Sequence, residues 1–275
     1  MSSPTIAVYA IALNEEANVS DFLDTVKDAD AIYVADTGST DGTLAAFDRW
    51  RQMHPWSKRK VNVSSIQVMP WRFDIGRNTA LALVPRDVDI CVVLDLDEDL
   101  SPNWKQAILQ HWRGNTNAIR PWYVAGDGYQ TYDGRRIHSR SGWVWRHACH
   151  EQLYPWAGVA NFVDAREIVI THKRVVIHRS YLGLCYTAWQ EDPTDAHCQF
   201  FLGREYYIAG MYEMASEMFR HYLERDGYTE PEERRMVGVF LDWTEGELRA
   251  RQSGLMKGQR QLRDSGLVVP VGVGS

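Results

Sequence analysis

The sequence predicts an α/β protein with a mixed, mostly parallel sheet flanked by helices, followed by an all-α, repeat-like module. The N-terminal half alternates short apolar runs with amphipathic segments, which is the pattern of parallel strands connected by helices. Beyond about residue 186 the pattern becomes helical throughout. We therefore predict a first domain over residues 1–182 and a helical module over residues 183–275.

The first two strands are predicted with the helix that follows each of them. Thr5 to Ala12 is apolar and forms the first strand, and Asn14 then caps a helix that runs to about Lys27. Ala31 to Ala35 forms the second strand, and Thr43 to about Gln52 the next helix. The carboxyl ends of parallel strands lie at one edge of a sheet, so the two connecting loops should meet there.

The remaining elements of the first domain are less regular. Val61 to Val68 is predicted as a third strand, Phe73 to Leu83 as a helix, and Asp89 to Leu94 as a fourth strand. Between residues 117 and 177 the periodicity weakens and turns multiply, which indicates mixed strands and loops. The last part contains two predicted helical regions, 193–225 and 230–251, and a tail rich in Gly and Val over 266–275.

Composition excludes several classes of protein. No segment approaches the roughly 20 apolar residues of a membrane helix, and the N-terminus lacks the pattern of a signal peptide. The four cysteines show no paired spacing, so we expect a reducing compartment and a cytoplasmic protein. The net charge of −6 gives no support for a protein that binds nucleic acid over its whole surface.

Polar residues follow the first two strands at the edge where ligands bind in open parallel sheets. The first loop contains Asn14-Glu15-Glu16, and the second begins Asp36-Thr37-Gly38-Ser39-Thr40-Asp41-Gly42-Thr43. A carboxylate such as Asp36 can accept the N3–H of uracil, and the turn after it offers backbone N–H groups at a helix start. Taken singly, Asn14 and Asp41 are better explained as helix caps than as ligand-binding residues.

An acidic segment, Asp95-Leu96-Asp97-Glu98-Asp99, follows the fourth strand. Four acids in five residues repel one another unless a cation neutralises them. Carboxylate oxygens suit Mg²⁺ or Mn²⁺, and strand alternation would place Asp95 and Asp97 on the same side. The alternative for an isolated cluster is a solvated acidic loop.

Together, these segments resemble the family 2 glycosyltransferases. The usual form in that family is a strand, Asn-Glu, a second strand, Asp-x-Gly-Ser-x-Asp-Gly-Thr and, later, an Asp-x-Asp signature. The run from Gly38 to Thr43 is complete here. The resemblance implies a nucleotide-diphospho-sugar transferase fold and a nucleotide-sugar donor. The residues implied to contact the donor nucleotide are Ala12, Asn14, Glu15, Asp36, Arg77, Asp95 and Leu96.

The same resemblance implies the metal ligands. The last Asp of the signature, here Asp97, commonly binds Mn²⁺ or Mg²⁺ directly. The family often ends the catalytic domain with a strand carrying Ile-x-His or a similar motif, and Val175-Val176-Ile177-His178 fits. His178 is therefore the predicted second ligand, with His172 as a nearby alternative.

A candidate general base lies downstream, in Cys149-His150-Glu151-Gln152-Leu153. Inverting sugar transfer needs one group to take the proton of the acceptor. Many members of the resembling family carry His-Glu-x-Leu at this point, which implies Glu151 as that base. His150 would orient the donor or the base, unless it is a structural histidine.

The helical module resembles a tetratricopeptide repeat. Leu202-Gly203, Tyr206, Ala215 and Phe219 have the offsets of that motif. The sequence contains one convincing repeat, whereas a stable array needs about three. We expect the module to pack on the catalytic domain or on another subunit, which would make a homo-oligomer. The combination of domain and module is similar to peptide S-glycosyltransferases.

These features predict an inverting, metal-dependent transfer of a sugar from a nucleoside diphosphate, UDP in particular, to a hydroxyl or thiol. Peptides or proteins, glycans and modified nucleic-acid bases all remain open as acceptors. A nucleotidyltransferase would need a Gly-rich loop and a basic residue after the first strand, and the sequence has neither. A non-catalytic nucleotide-sugar-binding protein, whose tail recruits a partner, remains as the alternative.

Overall fold

The computed structural model describes residues 3–252, apart from residues 127, 129, 135, 157–159, 174–179 and 226–230. The described residues form two compact units. The first unit contains residues up to 146 and from 151 to 173, and the second contains residues 147–150 and those from 180 onward. The domain boundary at residue 182 stays a prediction.

The first unit contains the sheet. Its described strands are β1 Ile6–Ala12, β2 Ala31–Asp36, β3 Val61–Ser65, β4 Ile90–Val93, β5 Glu98–Leu100, β6 Ala118–Val124, β7 Gln130–Tyr132, β8 Ile137–Ser139, β9 Trp143–Arg146, β10 Gln152–Pro155 and β11 Phe162–His172. Its described helices are α1 Val19–Val26, α2 Thr43–Met53, α3 Phe73–Leu83 and α4 Trp104–His111, with a 3₁₀ helix at Pro55–Arg59.

The strand order is β3-β2-β1-β4-β8-β6-β11-β5, with β7 paired to β6. The pairs β3–β2, β2–β1 and β1–β4 are all parallel. Strand β8 is antiparallel to both β4 and β6. Strands β9 and β10 form a separate antiparallel hairpin. All four residues of β4 are buried, as expected of a central strand covered on both faces. The predicted class, a mixed and mostly parallel sheet flanked by helices, is confirmed.

Several predicted boundaries were wrong. Helix α1 begins at Val19 with Asn18 at its N-cap position, so Asn14 does not cap it. Asn14 instead has a φ of 58°, in the left-handed region. Strand β3 ends at Ser65 instead of continuing to Val68. Strand β5 and helix α4 were not predicted. Strand β5 has only three residues, too few to show a period, and the acids at its start resemble a loop.

The second unit contains helices α5 Leu182–Glu191, α6 Ala196–Ile208, α7 Tyr212–Glu224 and α8 Pro231–Gln252. A Cβ on Gly203 would lie 2.6 Å from Cε1 of Phe219, so this close approach of α6 to α7 requires glycine. The assignment to a tetratricopeptide repeat stays a prediction, and the Gly/Val-rich tail lies outside the described residues. None of the described helices has the length and apolarity needed to cross a membrane.

Candidate functional site

The loops after β1 and β2 are joined by hydrogen bonds at the carboxyl edge of the sheet. The side-chain oxygen of Asn14 accepts from the backbone N–H groups of Thr40, at 2.8 Å, and Asp41, at 3.3 Å. The hydroxyl of Thr43 accepts from the backbone N–H of Glu15 at 2.7 Å. Asn14 therefore binds the second loop, and its left-handed backbone turns the chain toward that loop.

Asp36, at the end of β2, is paired in register with Ala12 at the end of β1 and is 1% exposed. Its Oδ2 accepts from the backbone N–H groups of Gly38 and Ser39, both at 3.2 Å. Its Oδ1 is buried and has no hydrogen-bond partner among the described residues. Because a buried carboxylate oxygen without a donor is unfavourable, this atom is suited to accept an N–H from a bound molecule.

The acidic segment does not continue β4. Strand β4 ends at Val93, residues 96 and 97 form a turn, and Glu98 begins β5. The prediction that alternation along a strand places Asp95 and Asp97 on one side was therefore wrong. Leu96 is buried, and its contact with the donor nucleotide stays a prediction.

Arg77, in α3, binds two of the predicted site carboxylates. Its Nη1 and Nη2 donate to the two oxygens of Asp95, at 2.6 and 3.1 Å, and its Nε donates to Oε1 of Glu151 at 2.9 Å. The arginine is 3% exposed. Burial lowers the pKa of Arg77, but the carboxylates of Asp95 and Glu151 raise it above the ordinary value. In this structure these nitrogens bind protein carboxylates, and the contact of Arg77 with the donor nucleotide stays a prediction.

A second buried arginine, Arg136, binds the acidic segment from another direction. Its Nη1 and Nη2 donate to the two oxygens of Glu98, at 3.1 and 2.8 Å, and its Nε donates to Asp133 at 2.9 Å. Glu98 Oε2 also accepts from the backbone N–H of Asp95 at 2.9 Å. Burial raises the pKa of Glu98 to about 7, with Arg136 opposing and Asp95 reinforcing the effect. Two of the four clustered acids are thus neutralised by arginines, which the sequence analysis missed.

Asp97 has a different environment, beside an imidazole. Its Oδ2 lies 3.2 Å from Nε2 of His172, the last residue of β11. Antiparallel pairing of β11 with β5 places His172 opposite Glu98 and so brings it to the acidic segment. A carboxylate and an imidazole are both ligands for a divalent transition metal such as Mn²⁺. His178, the predicted ligand, lies outside the described residues.

Glu151 is 3% exposed and precedes β10. Arg77 holds its Oε1, whereas its Oε2 is buried without a hydrogen-bond partner among the described residues. One oxygen is therefore fixed and the other remains able to accept a proton. This arrangement is suited to a general base.

His150 lies in the second unit, with a φ of 52°. Its ring stacks on Phe201 with the ring centroids 3.7 Å apart, and its Nε2 accepts from Nη2 of Arg204 at 2.8 Å. Its carbonyl accepts from His197 at 3.0 Å. These are the contacts of a structural histidine, which was the alternative from sequence, and its catalytic role stays a prediction.

The mixed, mostly parallel sheet flanked by helices is consistent with a nucleotide-sugar transferase fold of the GT-A type. A sequence model described as glycosyl transferase family 2 matches residues 7–183. The chain therefore belongs to glycosyl transferase family 2, and it carries a glycosyltransferase domain. No curated protein matches the chain.

Three solved structures to which the chain is similar have between 11% and 24% sequence identity to it. TarS from S. aureus has a TM-score of 0.50 and 11% identity, over 88% of this chain and 53% of TarS. The mannosyltransferase PcManGT from Pyrobaculum calidifontis, solved with GDP-Man and Mn²⁺, has a TM-score of 0.48 and 15% identity, over 92% of this chain and 76% of that one. Glucosyl-3-phosphoglycerate synthase from Mycobacterium tuberculosis has a TM-score of 0.35 and 24% identity, over 44% of each chain, so less than half of that enzyme is spanned.

Proposed function

We propose that this protein is an inverting, metal-dependent glycosyltransferase that moves a sugar from a UDP-sugar to a hydroxyl or thiol. Membership of the family supports the reaction class. The observation that carries the proposal is Glu151, a buried carboxylate with one oxygen held by Arg77 and the other without a partner among the described residues. A group fixed in this way can take the proton of an acceptor as it attacks.

Asp97 and His172 would hold the divalent cation, Mn²⁺ or Mg²⁺. The 3.2 Å separation of their Oδ2 and Nε2 atoms supports this pair. When bound, the cation supplies Lewis-acid stabilisation to the leaving diphosphate. Asp95 is not proposed as a ligand, because Arg77 binds both of its oxygens.

Asp36 would read the base of the nucleotide. Its unpartnered Oδ1 can accept the N3–H of uracil, whereas the unprotonated N3 of cytosine offers no proton to it. The loop that contains Asn14 and Glu15 would complete this part of the donor site. These residue roles hold only if the protein transfers a sugar from a nucleotide-sugar donor.

The acceptor is proposed only as a class, a hydroxyl or thiol of a peptide, protein, glycan or modified nucleic-acid base. The described helices α5 to α8 would recognise it or mediate association with a second copy. The combination of a family 2 domain with a helical module resembles peptide S-glycosyltransferases, and this resemblance supports including a peptide or protein among the proposed acceptors.

The experiment is to incubate the whole chain with radiolabelled UDP-, GDP- and CDP-sugars, with and without Mn²⁺, against a panel of these acceptor classes. We expect transfer from a UDP-sugar that requires the cation, and a turnover with a hydroxyl acceptor that is at least about a hundredfold lower in Glu151→Gln. Turnover that is equal after removal of divalent cations would contradict the metal dependence. Absence of both donor binding and transfer would reject the function.

A further inference from the structure

Helix α3 holds the β9–β10 hairpin through Asn78, the residue after Arg77. The side chain of Asn78 donates from Nδ2 to the carbonyl of Trp145, at 2.9 Å, and its Oδ1 accepts from the backbone N–H of Trp145, at 3.0 Å. Trp145 is paired with Leu153 across the hairpin, two residues beyond Glu151. The backbone near Glu151 is therefore connected to α3 through the strand that contains Trp145.

The indole of Trp145 is fixed by a directed chain of hydrogen bonds. Its Nε1 donates to the hydroxyl of Tyr9 at 2.9 Å, and that hydroxyl lies 2.9 Å from Nε2 of His138. The Nδ1 of His138 lies 2.8 Å from the carbonyl of Ser139, which can only accept, so Nδ1 carries the proton. It follows that Nε2 accepts from Tyr9, and each hydrogen bond has one direction.

This chain is buried and stays neutral. Tyr9 and His138 have no exposed surface, and Trp145 is 4% exposed. Burial lowers the pKa of His138 to about 4, so the ring is neutral at physiological pH. The hydroxyl of Tyr9 has both of its hydrogen-bonding roles satisfied, as donor and as acceptor, in a part of the sheet where a phenylalanine would fill the same space.

The ring face of the Trp145 indole lies beside Arg77, the arginine that binds the proposed base Glu151. The guanidinium carbon of Arg77 lies 5.6 Å from the ring centroid of Trp145, within range of a cation–π interaction. The same guanidinium binds Asp95 and Glu151. Its position is therefore set by carboxylates and by an aromatic ring whose own orientation depends on Tyr9.

We propose that Tyr9 and Trp145 are positioning residues for the general base Glu151, an inference that rests on the proposed function. The Tyr9 hydroxyl orients the indole, the indole and Asn78 hold the hairpin and Arg77, and Arg77 keeps Oε2 of Glu151 directed at the acceptor. Neither residue touches the reacting atoms in this proposal. Their effect is on the rate of transfer and not on the affinity for the donor.

The test compares steady-state transfer by the whole chain and by Tyr9→Phe, at a temperature well below the unfolding midpoint of both. Tyr9→Phe keeps the ring and removes the hydroxyl, so we expect kcat to fall about 10- to 100-fold, with the KM for the donor within about twofold, because small misplacement of a catalytic group lowers the rate strongly. Tyr33→Phe, on the neighbouring strand β2 and outside the chain of hydrogen bonds, is the matched control and should keep its kcat.

A second comparison separates positioning from general stability. Trp145→Phe removes the indole N–H, and the double variant with Tyr9→Phe should lose little more activity than either single variant, because both remove the same interaction. Additive losses, or a lower unfolding midpoint with an unchanged kcat, would overturn the proposal. If the unsubstituted protein binds no UDP-sugar and transfers no sugar, the proposed function fails and this role fails with it.

Discussion

Nε of Arg77 lies 2.9 Å from Oε1 of Glu151, although the two residues are 74 positions apart in the chain. Through its other two nitrogens the same guanidinium binds both oxygens of Asp95. One side chain of α3 therefore links the acidic segment to the candidate general base.

Arg77→Gln should destabilise the first unit by about 3–5 kcal/mol, because removal of one partner leaves buried carboxylates without their counter-charge. Urea denaturation measures the loss. Arg49→Gln is the control, since Arg49 forms an exposed pair with Glu16 and its loss should change stability by less than about 1 kcal/mol. Equal effects of the two substitutions would mean that the buried pairs contribute no more than a surface pair.

Asp97→Asn and His172→Ala should each abolish the Mn²⁺-dependent part of UDP binding, because they remove the proposed ligands. Calorimetry with and without Mn²⁺ measures this. Asp99→Asn is the matched control, since Asp99 pairs with Lys173 and Thr25 instead. Loss of the Mn²⁺ effect in His178→Ala, with no change in His172→Ala, would assign the ligand to His178 as the sequence first predicted.

Asp36→Asn should remove the preference for UDP over CDP. In the proposed function, Oδ1 of Asp36 accepts the N3–H of uracil. The amide of Asn can present either an acceptor oxygen or a donor NH₂ group to the base, so it would no longer distinguish uracil from cytosine. Competition binding ranks the nucleoside diphosphates, while pyrophosphate affinity should stay unchanged as an internal control. A preference for CDP or ADP in the unsubstituted protein would refute the base assignment.

Glu151→Gln should leave donor affinity unchanged and lower turnover with a hydroxyl acceptor at least about a hundredfold, because the amide cannot take the proton. Parallel assays with a thiol acceptor should show a smaller fall, since a thiol ionises more easily. If turnover with the hydroxyl acceptor does not change, the base must be sought elsewhere, first at Asp99 or Asp127.

His138 should make the stability of the fold depend on pH. Its folded pKa of about 4 lies below the ordinary value of 6.5, so between these values the unfolded chain binds more protons than the folded one. Unfolding free energy should therefore fall by roughly 3 kcal/mol as pH drops from about 6.5 to about 4. Urea unfolding across this range should show a steeper decline than in His138→Gln, and parallel curves would argue against a buried neutral histidine.

Local sequence was sufficient for most of the elements that build the site. Helix α3 has the predicted bounds, Phe73–Leu83, and β1 and β2 end within one residue of their predicted ends. All three are predictable because apolar periodicity and turn residues act over neighbouring positions. The same locality explains the error at Asn14, whose hydrogen bonds go to a loop 26 and 27 residues away.

The sequence by itself determined the family, the order of the strands and α-helices from β1 to β4, and the presence of acids at the sheet edge. Only the tertiary structure decided which acid has which partner: Arg77 for Asp95, Arg136 for Glu98, and His172 for Asp97. The physical reason is that charge pairing depends on distance in space and on burial. Strand order, which brings β11 beside β5 and β8 beside β4, sets that distance without leaving a periodic trace in the chain.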